Sequence, residues 1–152
     1  MKKYNIYTIL MTVTGIGVLI GALLPWATMF RLSVRGIDGS YGKSTAILGL
    51  LMLIMLWISI LVNNKKIKVI PMVSMIILSI VIICISVDRM SAINSIKAGN
   101  EFGFLVSISN GLYVTLLSGI LGLTSTIYKV LRDVIHNLHK RSIWKELIPE
   151  YL

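Results

Sequence analysis

What this chain lacks narrows it more than what it has. From Tyr4 to Phe30, Ser44 to Asn64, Val69 to Val87 and Phe102 to Tyr128 there is no Asp, Glu, Lys, Arg or His. Ion-coupled transporters and proton relays place ionisable groups at membrane depth, so this absence argues against both. The paired aspartates of an intramembrane aspartyl enzyme are missing, as is the first-span carboxylate of small multidrug exporters. A single cysteine, Cys84, allows neither an internal disulfide nor a Cys-x-x-Cys pair. It reads as a small apolar packing residue. No histidine stands beside a serine or the cysteine at membrane depth, so a nucleophile there lacks its base. The two histidines, His136 and His139, are three apart near the C-terminus. Such a pair binds metal when other ligands converge, and none visibly does. The expectation is a protein that is not an enzyme, with no catalytic residue, no cofactor and no metal.

What is present is apolar. The 152 residues are 56% hydrophobic, with a mean hydropathy of +0.86. A hydrocarbon core of ~30 Å takes roughly 20 apolar residues of helix, and each uncharged stretch is long enough or within a residue of it. The expected fold class is all-α: a polytopic membrane protein with four transmembrane helices in an up-down-up-down bundle and a C-terminal amphipathic helix. The expected spans are about 6–29, 44–63, 68–87 and 105–128, forming a transmembrane domain over 1–128. A cytoplasmic amphipathic tail covers 129–152. No polar helices remain to cover a soluble core of four apolar ones. The first span exceeds the roughly 7–15 apolar residues of a signal peptide and reads as retained.

The net charge of +9 is distributed as a topology signal. Lys2, Lys3, Lys65, Lys66, Lys68, Lys129, Arg132, Lys140, Arg141 and Lys145 fall on one side of the spans; Arg31, Arg35, Lys43, Arg89 and Lys97 fall on the other. The positive-inside rule places both termini in the cytoplasm, in the plasma membrane of a cell. The excess also suits anionic lipid headgroups. No nucleic-acid module accompanies it, so nucleic acid is not an expected partner.

Along the chain, Pro25 should bend or end the first helix one turn from the surface. Tyr4, Tyr7, Trp26 and Trp57 read as interfacial aromatics. Arg31 to Lys43 carries Asp38-Gly39 as a turn signal and a loose alternation of Leu32, Val34 and Ile37, consistent with a short hairpin or an irregular loop. Asp88 to Glu101 suggests a short helical turn lying on the membrane. From Lys129 to His139 the apolar residues Val130, Leu131, Val134, Ile135 and Leu138 share one face, opposite Lys129, Arg132, Asp133, His136 and Lys140. The pattern shifts after Arg141, which suggests a break near Arg141-Ser142. The expected tail is an interfacial helix; a straight extension of span four is the alternative.

Two sets of residues stand out. Gly17 and Gly21 form a GxxxG pair, and Gly111, Thr115, Gly119 and Gly122 bring small residues to span four, where backbones approach closely. Contact within the bundle is the first reading; a homodimer or a membrane-protein partner is the second. Arg31, Arg35, Asp38, Tyr41, Arg89, Glu101 and Asn110 gather polar groups at the outer loops, where a rigid bundle presents recognition. They are the candidate ligand or partner contacts.

Leu24-Pro25-Trp26, Gly36-Ile37-Asp38-Gly39, Asn110-Gly111-Leu112-Tyr113 and Gly119-Ile120-Leu121-Gly122 resemble a pattern in small four-span bacterial membrane proteins. The topology is also similar to claudin-type proteins, although loop one lacks the claudin tryptophan and cysteine pair. The resemblance implies the architecture. The expected function is non-enzymatic: a protein of the bacterial envelope that binds an extracellular ligand, such as a peptide, through its outer loops, as immunity or envelope-protection proteins do. The alternative is an accessory subunit of a transporter, channel or secretion complex. Membrane lipids are partners in either case.

The charge bias makes topology testable. In a Cys84→Ala background, Ser40→Cys and Ser95→Cys should react with an impermeant maleimide in intact cells, and Asn64→Cys should not. Reaction at Asn64→Cys alone reverses the orientation.

Overall fold

The computed structural model describes residues 6–29, 32–62, 67, 69–99 and 103–147; of residue 104 and residues 136–147 it describes the backbone. Arg31 and Glu101 lie outside the described residues. Among the described residues, four helices are long and apolar enough to cross a membrane. They are α1 (Ile6–Leu23), α2 (Ser40–Leu61), α3 (Val69–Gly99) and α4 (Asn110–Leu147). They run up-down-up-down, and neighbours in sequence pack together, with α4 closing the bundle against α1. The chain is a polytopic four-helix membrane protein. Three short strands sit at one end, the sheet end: β1 (Pro25–Met29), β2 (Leu32–Arg35) and β3 (Val106–Ile108), antiparallel in the order β2-β1-β3. The opposite end is the tail end.

Several boundaries differ from the sequence reading, each for a local reason. The first helix stops at Leu23, not near residue 29, and the chain enters β1 at Pro25. The Gly21 carbonyl would ordinarily accept the amide hydrogen four residues on, and Pro25 has none. The indole N–H of Trp26 takes that place, donating to the Gly21 oxygen at 2.9 Å. Trp26 is therefore buried, not an exposed interfacial aromatic. Tyr7 also turns inward, its hydroxyl donating to the Sδ of Met75 at 3.2 Å. Trp57 does stand exposed, near the tail end of α2.

No glycine or proline interrupts the chain between Met72 and Ala98, and α3 runs unbroken to Gly99. Its 31 residues make ~46 Å of helix, about half as long again as the hydrocarbon core. Residues 88–99 are thus the end of α3, not a separate turn on the membrane. Conversely, α4 begins only at Asn110, because Val106–Ile108 pair with β1. No glycine or proline follows Gly122 until Pro149, and the backbone stays helical to Leu147 without a break at Arg141-Ser142.

The interior combines an apolar cluster, including Tyr7, Val18, Leu56 and Ile82, with many small and hydroxyl-bearing residues. Thr14, Thr45, Ser59, Ser79, Ser86, Thr115, Ser118, Ser125 and Thr126 are buried, with Met11, Met52 and Met75 among the largest buried side chains. Ile9, Ile16, Ile20, Ile47, Ile54, Ile77, Leu117 and similar residues cover the exterior. Lipid is as apolar as leucine, so the bundle gains nothing by hiding leucines; close packing drives association instead. Most of these buried hydroxyls donate to the carbonyl one turn back in their own helix: Thr14 to Leu10, Thr45 to Tyr41, Ser86 to Ile82, Thr115 to Gly111 and Thr126 to Gly122, at 2.8–2.9 Å. Ser79 Oγ is buried without a hydrogen-bond partner.

The small residues singled out in the sequence sit at helix contacts. A Cβ added to Gly17 would collide with Ser118 Oγ, and one at Gly21 with Thr115 Oγ1, so the GxxxG face of α1 lies against α4. A Cβ at Gly111 would lie 2.6 Å from the Pro25 carbonyl oxygen. Gly119 abuts Ile82 and Ile83 of α3. Gly122 meets Thr14, Ser79 and Met52, one residue from each of the other three helices. Ser79 is fully buried there.

Two substitutions probe these contacts. Gly21→Leu should lower the thermal midpoint in detergent by the equivalent of about 1–3 kcal/mol of overpacking or more. Ile77→Leu, at a residue 56% exposed on α3, should shift it little. Trp26→Phe keeps an aromatic ring, though a smaller one, and leaves the Gly21 carbonyl unpaired; a loss of ~1–3 kcal/mol or more is expected, read as a lower thermal midpoint.

Candidate functional site at the sheet end

The sheet end is assembled from residues distant in sequence. After Trp26 is tucked against α1, the Gly36 amide donates to the Leu24 carbonyl at 3.1 Å, and Ser109 N–H to the Trp26 carbonyl at 3.0 Å. These two bonds tie both loops to the turn at Leu24-Pro25-Trp26. A 3-10 turn, Gly36–Asp38, then leads into α2. Gly36 is glycine because a Cβ there would lie 2.5 Å from the Trp26 indole, and Gly42 because its Cβ would overlap the Gly36 backbone. A hairpin is present, but only its second strand, β2, lies in loop one; its first, β1, comes from residues 25–29, expected in the first helix, and loop two adds β3 to its other side.

Of the candidate contacts, Asp38 has a structural task. Its carboxylate accepts the Arg35 backbone N–H at 3.1 Å and holds the 3-10 turn. The Arg35 side chain is exposed, at the end of β2. Tyr41 and Arg89 come together: the guanidinium carbon stands 3.6 Å from the Tyr41 ring centroid. Asp88 accepts from Arg89 Nε at 3.0 Å and from Nη2 at 2.6 Å. An arginine held over a ring and clamped by a carboxylate has few orientations left, so α2 and α3 are joined at the sheet end. Asn110 is exposed at the first residue of α4. Arg35, Asp38, Tyr41, Arg89 and Asn110 thus share one end of the bundle, with Tyr41 and Arg89 in contact.

The tail end holds a second polar cluster that the sequence reading missed. Lys129, assigned to the polar face of the tail, is buried, its ammonium 3.9 Å from the Tyr7 ring centroid. The signal was the shared end: Tyr7 near the start of α1 and Lys129 after the fourth apolar run meet because the two helices are antiparallel. Cys84 is exposed on α3 within the apolar span, not packed inside. Among the described residues no group of three His, Cys, Asp or Glu is placed to hold a metal ion. The side chains of His136 and His139 lie outside the described residues.

No family model, no curated protein and no solved structure matches the chain.

The Arg89–Tyr41 contact is measurable. In a double-mutant cycle with Arg89→Met and Tyr41→Leu, thermal unfolding in detergent should give a coupling of ~0.5–1 kcal/mol, the range for an exposed cation–π pair. Additive losses would show the stack contributes nothing.

Proposed function

We propose that this is a non-enzymatic protein of the bacterial plasma membrane. Both termini are cytoplasmic, and the sheet end faces outward to bind an extracellular ligand, as an immunity or envelope-protection protein does. One observation carries this reading. At the sheet end, exposed polar side chains stand on backbone held by a hairpin, a 3-10 turn and a helix reaching past the apolar layer. A pre-ordered surface loses little conformational entropy on binding, which is what recognition by a small membrane protein requires. The closed hydroxyl-to-carbonyl bonds of the core support a scaffold role for the bundle. A membrane-active peptide is the ligand class that a protective protein of this size and location meets.

The accessory-subunit reading has its own support. The 38 residues of α4 make ~57 Å of helix, well past any bilayer, and offer a partner a long surface at the tail end. A homodimer through the glycine seam has less, because Gly17 and Gly21 are occupied by α4.

Arg35→Ala and Asn110→Ala test the choice, since exposed changes shift stability by only about ±0.5 kcal/mol. Both should express and fold as the parent does, and together abolish resistance to the peptide in cells. Asp38 is a poor probe because its loss also frees the Arg35 amide. A truncation after Ile135 is the contrast. Loss of phenotype on truncation, with the loop variants active and a stoichiometric partner recovered in mild detergent, would establish the subunit reading instead.

A further inference from the structure

The three-stranded sheet has two unlike faces. Cross-strand partners share a face, and side chains alternate along each strand. Ala27 pairs with Val34 and Ile108, and Met29 with Leu32 and Val106. These six side chains form one face, and all are apolar. Thr28 pairs with Ser33 and Ser107 on the other face, where the Thr28 and Ser107 hydroxyls are 2.7 Å apart. Arg35, next to Val34 in β2, also falls on that polar side. The bundle covers this face only in part: Ala27, Val106 and Ile108 are half-buried, whereas Met29 is 45%, Leu32 76% and Val34 57% exposed.

We propose that this face is seated in the membrane itself, in the acyl and headgroup boundary of the leaflet at the sheet end. Four observations converge on lipid. The 18 residues of α1 make ~27 Å of helix, slightly less than the ~30 Å hydrocarbon core, so β1 starts at the edge of that core and not above it. The exposed apolar surface of α1, through Ile16, Ile20 and Leu23, continues into the sheet after a single intervening residue, Leu24. The strand that leaves the membrane, β1, is the central one, with β2 and β3 pairing its two edges, so the backbone nearest the hydrocarbon has partners. Finally, six side chains fall well short of the roughly 20–30 residues a side that a stable protein interface uses, whereas partition into an interface has no such minimum.

The amphipathic sheet then does for a β-structure what an interfacial helix does. It fixes the tilt of α1 and turns Thr28, Ser33, Arg35 and Ser107 toward water. This goes beyond ligand recognition and holds whether or not a ligand binds.

The test uses Val34→Cys and Ser33→Cys, one for each face, in a Cys84→Ala background. Each carries a polarity-sensitive fluorophore, with the full chain in vesicles of phosphatidylcholine and phosphatidylglycerol. Leu32→Cys replaces Val34→Cys should the latter not unfold at the parental midpoint. The label on the apolar face should emit blue-shifted and be quenched roughly twofold or more beyond the Ser33 label by lipid bearing a nitroxide near the headgroup. Both signals should be unchanged on lipid dilution. Water-like emission at Val34, or equal quenching on both faces, overturns the proposal. So does a blue shift that fades as lipid is added, which would indicate a second copy on the face.

Discussion

The hydrogen bond from the Trp26 indole to the Gly21 carbonyl is the contact on which the sheet end depends. Pro25 stops α1 by removing the amide that Gly21 expects, and that alone would leave a carbonyl unpaired at the edge of an apolar layer. Supplying the missing hydrogen from a side chain pulls Trp26 back over the helix end. With the ring there, Gly36 has room only for hydrogen, Gly42 must lie on the Gly36 backbone, and α2 is set beside α1. The Trp26 carbonyl meanwhile accepts from Ser109, which aligns the start of α4. Leu24-Pro25-Trp26 and Gly36-Ile37-Asp38-Gly39 are thus two halves of one joint.

Below that joint the bundle follows the logic of a solvent that is itself hydrocarbon. Glycines and hydroxyls occupy the seams, because only they let α1 and α4 approach to backbone distance, while Ile and Leu face lipid. At Gly122 residues of the other three helices come into contact, and among them Ser79 keeps a buried hydroxyl without a hydrogen-bond partner. Why Ser79 does not turn to its own helix carbonyl, as Ser86 does, has no physical account in the surrounding contacts.

The helices were legible in the sequence because an uncharged run of spanning length has little use outside a bilayer. The seam was legible for a related reason: Gly17 and Gly21 repeat at the spacing of one helical face. The sheet was only half legible. Loop one showed a turn and a loose alternation, but Val106–Ile108 lies inside a continuous uncharged run and is too short to display a period. Its strand character comes from pairing with β1, which no local pattern encodes. The buried face of α3 was harder to see. Met72, Met75, Ser79, Ile82 and Ser86 recur at three- and four-residue steps and are all buried, a stripe visible only when serine is counted with the apolar residues. The Tyr41–Arg89 contact needed the helix lengths, since their sequence separation says nothing of their shared level.

Each end of the bundle holds one cation against an aromatic ring, but at different burial. At the tail end Lys129 is drawn inside, against the Tyr7 ring, where its stem fills space between α1 and α4. A buried cation close to the boundary resists sliding of the two helices, since either direction moves it into hydrocarbon or away from the ring. At the sheet end the charges stay out: Arg35 is exposed on a strand end, and Arg89 is held over Tyr41 at the surface. Lys129 thus fixes depth and register at the tail end, where Arg132 and Asp133 remain exposed, whereas Arg89 joins α2 to α3 at the sheet end and Arg35 is exposed on a paired strand.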